Sequence, residues 1–329
     1  MNICVMGGGT WGITLACLLF DTGNSVKIWE FSKDKVDLLK RERKEPHLPW
    51  LFIPSGIEIT DNLEFSIWSC DLIVVAIPSW TIREAFLRLK EGWEDKLIIS
   101  CSKGLEEQTF LTPSQVIRDV IKDARVVALS GPSHAEEVSK KIPTAIISAT
   151  PIENDRIFVQ NLFSNQYLRV YTNPDIIGVE LGGALKNIIA IASGISDGLG
   201  FGDNTKAGLF CRGMAEMVRF GISFGGNKET FFGLSGMGDL MVTCISRHSR
   251  NRRFGELLGK GESPESAEKK VNMAVEGIRT TKAVYEKSKI LNIDMPITDE
   301  VYKIIFEKKK ASEAVLSLLK RELKEEVIR

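Results

Sequence analysis

Gly7-Gly8-Gly9-Thr10-Trp11-Gly12 joins a short apolar run, residues 3–6, to a helix-like run, residues 13–20. Glycines at this GxGxxG spacing between a strand and a helix are typical of a turn that binds a dinucleotide. In such a turn Gly7 permits the tight bend, Gly9 lets the backbone approach a pyrophosphate, and Gly12 lets helix and strand pack closely. The free N–H groups of the helix N-terminus then face the phosphates. The alternative is a chance glycine-rich turn in an ordinary α/β domain, and the flanking strand and helix weigh against it.

Short apolar runs recur along the first half of the chain and favour an α/β fold. Helix-like segments separate most of them, and they are interpreted as strands at residues 3–6, 25–29, 72–77, 97–101, 126–130, 145–149 and 168–172. This alternation predicts a doubly wound parallel sheet of Rossmann type. Because runs of this kind stop near Asn173 and Pro174, residues 1–174 are expected to form a dinucleotide-binding domain.

The remaining residues, 175–329, are expected to form a mainly α-helical substrate domain, with helix-like segments at 206–220, 253–258, 277–287, 299–306 and 311–321. The apolar run 179–196 is almost long enough to cross a membrane, but Glu180 and Lys186 lie inside it. A charge at the centre of a spanning helix costs about 2.5 to 3.5 kcal/mol. The sequence therefore predicts a buried helix and no membrane span.

Composition excludes several classes of function. A chain of 329 residues favours two domains, and 43 basic against 43 acidic side chains exclude a general attraction to nucleic acid or anionic membranes. The 6 cysteines are scattered without a CxxC pair, which favours reduced thiols and argues against a metal site. The N-terminus enters a strand without a basic and apolar leader, so a cytoplasmic protein is expected.

Glu30 ends the second predicted strand, eighteen residues after Gly12. An acidic side chain at this point commonly accepts hydrogen bonds from the adenosine ribose. A carboxylate would favour NAD and repel the 2′-phosphate of NADP. Two alternatives stay open: a solvated strand-end glutamate, and a nearby Lys33 that weakens the discrimination. The expected cofactor is NAD, with NADP possible.

Lys186 interrupts a helix-like run that is otherwise apolar nearly all round. Such a lysine either extends its ammonium group to water or is functional. The small residues 182–184 before it let a ligand or another backbone come close, which favours the functional interpretation. Burial lowers the pKa of an ammonium group, as suits a lysine that takes and returns a proton. Asn187, the next residue, could orient a neighbour.

Two loops follow predicted strands directly: Lys103 comes after strand 97–101, and Gly131-Pro132-Ser133-His134 comes after strand 126–130. Ligands of open α/β sheets bind at the carboxyl ends of strands. Either loop alone could be a plain connection, whereas both together indicate one crevice. Asp239, in the glycine-rich stretch 234–240, is expected in a flexible turn.

The basic run 247–253 could be a solvated face, a nucleic-acid patch or an anion site. The neutral chain and the lack of interleaved aromatic residues weaken the nucleic-acid interpretation. Arg binds phosphate through two parallel N–H donors. Arg250, with Ser249 and Asn251 beside it, therefore suits a small phosphorylated ligand.

Together these residues resemble the family of NAD(P)-dependent glycerol-3-phosphate dehydrogenases. The resemblance spans almost the whole chain and rests on the glycine loop, GPSHAEE from Gly131, GALKNIIAIASG from Gly183, LSGMGDL from Leu234, SRNR from Ser249 and VEG from Val275. It implies interconversion of dihydroxyacetone phosphate and sn-glycerol 3-phosphate by hydride transfer, supply of glycerol 3-phosphate for phospholipids, and a homodimer.

The resemblance also implies a role for each matched residue. Lys186 matches the proton-transfer residue, and Arg250 matches the main phosphate anchor. The substrate-binding set is Lys103, Gly131, Ser133, Lys186, Asn187, Asp239, Ser249, Arg250 and Asn251. The cofactor-binding set is Gly7, Gly9, Thr10, Trp11, Gly12, Glu30, Phe31, Lys103, Ala135, Arg250, Ala274 and Glu276.

The sequence departs from the family near Phe31, where members that use NADPH often carry a basic residue. Here Glu30 and Phe31 offer a carboxylate and a ring that could pack on adenine, which again favours NAD. Two other functions remain as alternatives. A hydroxyacid dehydrogenase of similar architecture would need a carboxylate clamp in place of the phosphate-suited cluster at Arg250. A non-catalytic dinucleotide sensor would leave Lys186 without a purpose.

Overall fold

The computed structural model describes residues 1–89, 93, 95–323 and 325–326, and the chain folds as two compact units. Unit 1 comprises Met1–Ser102 and Pro113–Ile176, and unit 2 comprises Lys103–Thr112 and Ile177–Arg329. The sequence placed 103–112 in the first domain, whereas the structure assigns this segment to unit 2. The reason is that Leu105 is buried in the apolar core of unit 2 and Phe110 packs against that core.

Unit 1 is built on an eight-stranded sheet. Its strands are β1 (Asn2–Met6), β2 (Ser25–Trp29), β3 (Glu58–Thr60), β4 (Leu72–Val75), β5 (Leu97–Ser100), β6 (Arg125–Ser130), β7 (Thr144–Ala149) and β8 (Leu168–Asn173). Their order is β3-β2-β1-β4-β5-β6-β7-β8, so the chain winds outward in both directions from β1. Its helices are α1 (Thr10–Asp21), α2 (Lys33–Glu42), α3 (Leu63–Trp68), α4 (Ile82–Leu87), α5 (Pro113–Val120), α6 (Ala135–Val138) and α7 (Glu153–Phe163).

The predicted doubly wound sheet of Rossmann type is confirmed, with two differences. The sequence missed β3, whose three residues are too few to show a pattern. It also predicted a parallel sheet throughout, whereas β6 and β7 pair antiparallel. The helix in their connection, α6, has four residues and spans about 6 Å, so it cannot carry the chain back along a six-residue strand of about 20 Å.

Unit 2 is helical, as predicted. Its helices are α8 (Ile176–Gly198), α9 (Asp203–Ser223), α10 (Lys228–Phe231), α11 (Asp239–Ile245), α12 (Arg250–Gly259), α13 (Pro264–Val271), α14 (Glu276–Ile290), α15 (Pro296–Phe306) and α16 (Ala311–Leu319). A π-helical turn, Leu234–Gly238, leads directly into α11. The expectation of a flexible turn at Asp239 is therefore wrong, because this residue begins a helix.

Helix α8 is the central helix of unit 2. By length and composition it could cross a membrane, but 94% of its most apolar window is buried inside the protein. Its side chains, among them Leu185 and Ile188, belong to the apolar core of unit 2. The prediction of a buried helix is confirmed.

Helices α8 and α12 pack backbone against backbone at glycines. A Cβ atom on Gly194 would overlap the carbonyl oxygen of Arg252, and one on Gly255 would overlap that of Ile191. No side chain larger than hydrogen fits at either position. This crossing holds the start of α12 close to the middle of α8, where Lys186 and Asn187 lie.

Candidate active site and dinucleotide-binding loop

The glycine loop of unit 1 is tight at two positions and open at one. Gly7 has φ +117°, and a Cβ on it would lie 2.6 Å from the carbonyl oxygen of Ala76. A Cβ on Gly12 would overlap the carbonyl oxygen of Gly7, whereas one on Gly9, which precedes α1, would meet nothing within 4 Å. The chain itself therefore requires Gly7 and Gly12. The open space at Gly9 lies where a phosphate would approach the N-terminus of α1.

The carboxylate of Glu30 lies against this loop. Its Oε2 accepts from the backbone N–H of Gly8 at 3.0 Å, and its Oε1 accepts from that of Ser32 at 3.1 Å. Lys35, rather than the Lys33 considered from the sequence, pairs with it at 3.5 Å. Phe31 beside it is 64% exposed. These contacts hold a negative charge next to the loop, and the guanidinium group of Arg88 lies over the exposed Phe31 ring, 4.9 Å from its centre.

The other candidate residues of unit 1 also follow or begin elements at one edge of the sheet. Strands β1, β2, β4, β5 and β6 are parallel, so their carboxyl ends share that edge. Thr10 and Trp11 begin α1 there, and Ala135 begins α6. Gly131 follows β6 with φ +122°, and Ser133 donates to its carbonyl oxygen at 2.9 Å.

Unit 2 holds a buried cluster of two lysines, one aspartate and one threonine. Lys186 Nζ donates to Asp239 Oδ1 at 2.5 Å and to Thr243 Oγ1 at 2.8 Å. Lys103 Nζ donates to the other carboxylate oxygen, Asp239 Oδ2, at 2.7 Å. Lys186 is 6% exposed and Asp239 1%. One carboxylate therefore holds two ammonium groups in a site that is almost closed to water.

Burial and charge set the protonation of this cluster. The pKa of Lys186 is lowered to about 7: burial is the largest cause, the Asp239 carboxylate opposes it by raising the pKa, and the Lys103 charge adds to the lowering. Burial alone would raise the pKa of Asp239, but the two ammonium groups hold it below its usual value. The carboxylate thus stays ionised near neutral pH, while Lys186 changes protonation there.

Helix geometry brings these side chains together. Asp239 and Thr243 lie four residues apart on α11 and so share one face, and the hydroxyl of Thr243 also donates to the Asp239 carbonyl at 2.6 Å. Sequence reasoning missed Thr243. Its four-residue spacing from Asp239 would have indicated it, had a helix rather than a turn been predicted there.

Lys103 reaches the cluster through the segment 103–112. Leu105 anchors this segment in the core of unit 2, being 1% exposed. Glu107 accepts from Arg279 Nη1 at 2.6 Å and from Lys282 Nζ at 3.3 Å, both on α14. The loop that carries Lys103 is thus fastened to the apolar core of unit 2 and to α14.

A second set of buried polar side chains joins three helices. Asn251 Nδ2, on α12, donates to Asn187 Oδ1, on α8, at 2.9 Å. Asn251 Oδ1 accepts from the backbone N–H of Gly277, on α14, at 2.9 Å. Asn187 and Asn251 are 4% and 8% exposed. They tie α12 and α14 to the lysine helix, and Glu276 and Ala274 lie at the start of α14 and just before it.

The N-terminus of α12 combines a cap with an exposed arginine. Ser249 Oγ accepts from the backbone N–H of Arg252 at 3.2 Å, while Arg250 is exposed. Arg252 instead pairs with Asp197 at 2.6 Å. The basic run therefore contains one arginine in an ion pair within the protein and one, Arg250, that is exposed to solvent. A helix N-terminus with a free guanidinium group suits a phosphate. Contacts among the described residues do not join Arg250 directly to Lys186.

All six cysteines are free thiols, five of them buried. Among the described residues, no group of three His, Cys, Asp or Glu side chains could hold a metal ion.

Two family models match consecutive parts of the chain. Residues 2–155 match the N-terminal part of NAD-dependent glycerol-3-phosphate dehydrogenase, and residues 175–316 match its C-terminal part. The two matches together cover most of both units.

Curated relatives and a solved structure are similar over nearly the full length. Glycerol-3-phosphate dehydrogenase [NAD(P)+] of Fusobacterium nucleatum is 46% identical over 331 residues, and that of Clostridium perfringens is 47% identical over 329, each covering 99% of both chains. A crystal structure of glycerol-3-phosphate dehydrogenase from Coxiella burnetii superposes with a TM-score of 0.93 at 36% identity, covering 97% of this chain and 99% of that one.

Proposed function

The chain belongs to the NAD-dependent glycerol-3-phosphate dehydrogenase family, and on this premise we propose that its buried lysine cluster interconverts dihydroxyacetone phosphate and sn-glycerol 3-phosphate. It is an NAD(P)-dependent oxidoreductase. The observation that carries the assignment of chemistry to Lys186 is its burial against Asp239, with a pKa lowered to about 7.

Lys186 is proposed as the proton-transfer residue. An ammonium group has three N–H donors, and among the described residues Asp239 and Thr243 accept from two of them. The third can point at the oxygen on the central carbon of the substrate. In reduction Lys186 gives this oxygen a proton as negative charge develops on it, and in oxidation it removes the hydroxyl proton. The bound dinucleotide supplies or accepts the hydride.

Asp239, Lys103 and Thr243 are proposed to hold Lys186 in place and tune it. The Asp239 carboxylate fixes the Lys186 ammonium and keeps the cluster from carrying two uncompensated positive charges. Lys103 adds a positive charge beside the substrate oxygen, where it stabilises a developing alkoxide.

Arg250 is proposed as the phosphate anchor. Its guanidinium group is exposed at the N-terminus of a helix that Ser249 caps. Asn187 and Asn251 connect this helix to the lysine helix, so we expect them to position the substrate as well as the backbone. Gly131 and Ser133 at the end of β6 complete the proposed substrate-binding set.

The proposed cofactor residues fit a dinucleotide at the glycine loop. The space at Gly9 would admit the pyrophosphate, with Thr10 and Trp11 beside it at the start of α1. Glu30 would accept from the ribose hydroxyls, and its charge would oppose a 2′-phosphate, so NADH is the proposed preference. Phe31 would cover the adenine. The remaining proposed cofactor contacts are Lys103, Ala135, Arg250, Ala274 and Glu276.

In the cell we propose a cytoplasmic homodimer that supplies glycerol 3-phosphate for phospholipid synthesis. The similarity to full-length relatives named for this activity supports the production of glycerol 3-phosphate. The homodimer is what the resemblance to the family implies.

One assay tests substrate and cofactor together. Purified protein is given dihydroxyacetone phosphate with NADH or with NADPH, and kcat/KM is measured for each pair. We expect turnover with both and a higher kcat/KM with NADH. Glu30→Gln should narrow the difference, and a clear preference of the wild type for NADPH would contradict the role given to Glu30. A 2-oxoacid in place of the phosphorylated ketone tests the hydroxyacid alternative, which turnover of the 2-oxoacid alone would support.

A further inference from the structure

Unit 1 carries an arginine beside the expected adenosine site that its place in the sequence does not reveal. Arg88 is the C-cap residue of α4, and its guanidinium carbon lies 4.9 Å from the centre of the Phe31 ring. The contact joins the loop after β2 to the helix after β4, and these two strands flank β1 in the sheet. A positive charge therefore lies next to Phe31 and Glu30 although it comes from a distant part of the chain.

The residues that directly follow β2 do not favour a 2′-phosphate by themselves. The carboxylate of Glu30 repels it, and Lys35 pairs with this carboxylate at 3.5 Å, so the charges of the pair cancel. Lys33 is exposed, and among the described residues no ion pair or ring contact joins it to Glu30 or Phe31. A dinucleotide that carries a 2′-phosphate therefore needs a further positive charge at this loop.

The contacts that Arg88 makes are weak enough to be exchanged for a phosphate. Its Nη2 donates to Glu84, one helical turn earlier, and both side chains are exposed. An exposed ion pair and an exposed cation–π contact are each weaker than a guanidinium group bound to phosphate through two parallel N–H donors. With Arg88 over one face of its ring, Phe31 is still 64% exposed, so the other face stays open to an adenine.

We propose that Arg88 determines how well this chain accepts NADPH, by binding the 2′-phosphate that Glu30 opposes. The inference rests on the dinucleotide site proposed above and adds to it a residue from another element. With NADH, Glu30 accepts from the ribose hydroxyls and Arg88 stays with Glu84. With NADPH, the guanidinium group leaves Glu84 for the 2′-phosphate. The preference for NADH is therefore smaller than the Glu30 carboxylate alone would give.

Binding of nucleotide fragments tests this role without turnover. Titration calorimetry measures the dissociation constants of ADP and of 2′,5′-ADP for the wild type and for Arg88→Gln. We expect Arg88→Gln to raise the constant of 2′,5′-ADP about 10- to 100-fold, because a charge-assisted pair is lost, and to leave that of ADP within about twofold. Arg88→Lys keeps the charge but not the two parallel donors, so its constant for 2′,5′-ADP should fall between the two.

Two further variants serve as comparisons. Arg41→Gln is the matched control, because Arg41 is also an exposed arginine of unit 1 paired with an exposed glutamate, Glu42, at 2.8 Å near the end of α2. It should leave both dissociation constants unchanged. Lys33→Gln removes the other exposed cation after β2 and should change the constant of 2′,5′-ADP much less than Arg88→Gln does.

Several results would overturn the role of Arg88. Equal rises for ADP and 2′,5′-ADP would mean that the guanidinium group packs on the adenine and does not recognise the phosphate. An unchanged constant for 2′,5′-ADP, a larger effect of Lys33→Gln, or a wild type that binds ADP alone would also contradict it. A wild type that binds neither fragment would overturn the dinucleotide site together with this role. None of these results depends on turnover of dihydroxyacetone phosphate, which the assay above tests separately.

Discussion

Lys186 is a buried lysine whose charge depends on pH in the physiological range. Burial lowers its pKa to about 7, so reduction, which needs the ammonium form, should slow as the pH rises through about 7. Oxidation, which needs the free amine, should speed up over the same interval. We expect kcat for dihydroxyacetone phosphate and for sn-glycerol 3-phosphate to show opposite pH profiles, measured at saturating dinucleotide.

Removing the amine should abolish this behaviour. Lys186→Ala should lower kcat by about 100- to 10,000-fold, the usual contribution of general acid–base catalysis. Lys186→Met, whose side chain is close to lysine in size, should do the same. The dissociation constant for NADH, measured by fluorescence, should change little. Turnover within tenfold of the wild type would show that another group transfers the proton.

Arg250 provides a second prediction at the same scale. A charge-assisted hydrogen bond contributes about 1.5 to 3 kcal/mol, so Arg250→Ala should raise KM for dihydroxyacetone phosphate about 10- to 100-fold. Lys260→Ala is the control, because Lys260 is also an exposed cation but lies at the C-cap of α12, ten residues or about 15 Å further along the helix. Equal KM values for the two variants would remove Arg250 as the phosphate anchor.

Among elements, α12 depends on its glycine contact with α8. Gly255→Ala would overlap the carbonyl oxygen of Ile191, so we expect a loss of about 1 to 3 kcal/mol in the free energy of unfolding. Urea unfolding followed by circular dichroism at 222 nm measures it. KM for the substrate should rise too, because Arg250 and Asn251 move with the helix.

Gly202→Ala serves as the comparison for this variant. It adds the same methyl group at the start of α9, where a Cβ meets nothing within 4 Å. If the two variants unfold at the same urea concentration, the α8–α12 crossing does not need glycine.

Helices and strands were predictable wherever their hydrophobic pattern ran over enough residues to be distinguished from a turn. The apolar runs that became β1 and β2 and the long run that became α8 carried a strong hydrophobic pattern. The strand β3 and the helix α11 are short, and α11 follows glycines that normally mark a turn. Because a turn rather than a helix was predicted at Asp239, Thr243, one helical turn further on, could not be predicted as its neighbour.

Pairings between distant segments were not predictable from local pattern. The antiparallel β6–β7 pair and the transfer of 103–112 to unit 2 depend on which partner each segment finds in three dimensions. For the same reason, the lysine cluster was only partly predictable from the sequence. Lys103, Lys186 and Asp239 were each identified through their motifs, but the carboxylate that joins both ammonium groups became visible only in the fold.

On the scale of the whole molecule, each unit has its own spectroscopic probe. All 6 tryptophans, at positions 11, 29, 50, 68, 80 and 93, lie in unit 1. Unit 2 contains the longest helices, α8 and α9, and dominates the helical circular dichroism signal. Tryptophan fluorescence therefore reports the unfolding of unit 1, and the signal at 222 nm mainly that of unit 2.

This separation makes a buried carboxylate of unit 2 testable. Glu216, on α9, is 2% exposed and accepts from the backbone N–H groups of Ile297 and Thr298 at the start of α15, at 2.5 and 3.1 Å. Burial raises its pKa to about 7, against the lowering effect of these hydrogen bonds and of Arg219. The folded state therefore holds a proton that the unfolded state releases near pH 4.5.

It follows that Glu216 destabilises unit 2 as the pH rises from 5 to 7. The folded pKa lies above the unfolded one, so stability present at low pH is lost as the pH approaches 7, by about 2 to 3 kcal/mol. Lys186 affects the free energy of unfolding mainly above pH 7, because its lowered folded-state pKa makes stability rise with pH there. Glu216→Gln keeps an acceptor for α15 without a charge, so its urea midpoint at 222 nm should fall less than that of the wild type between pH 5 and 7. The same fall in both proteins would mean that Glu216 is ionised throughout this range and holds α15 as a carboxylate.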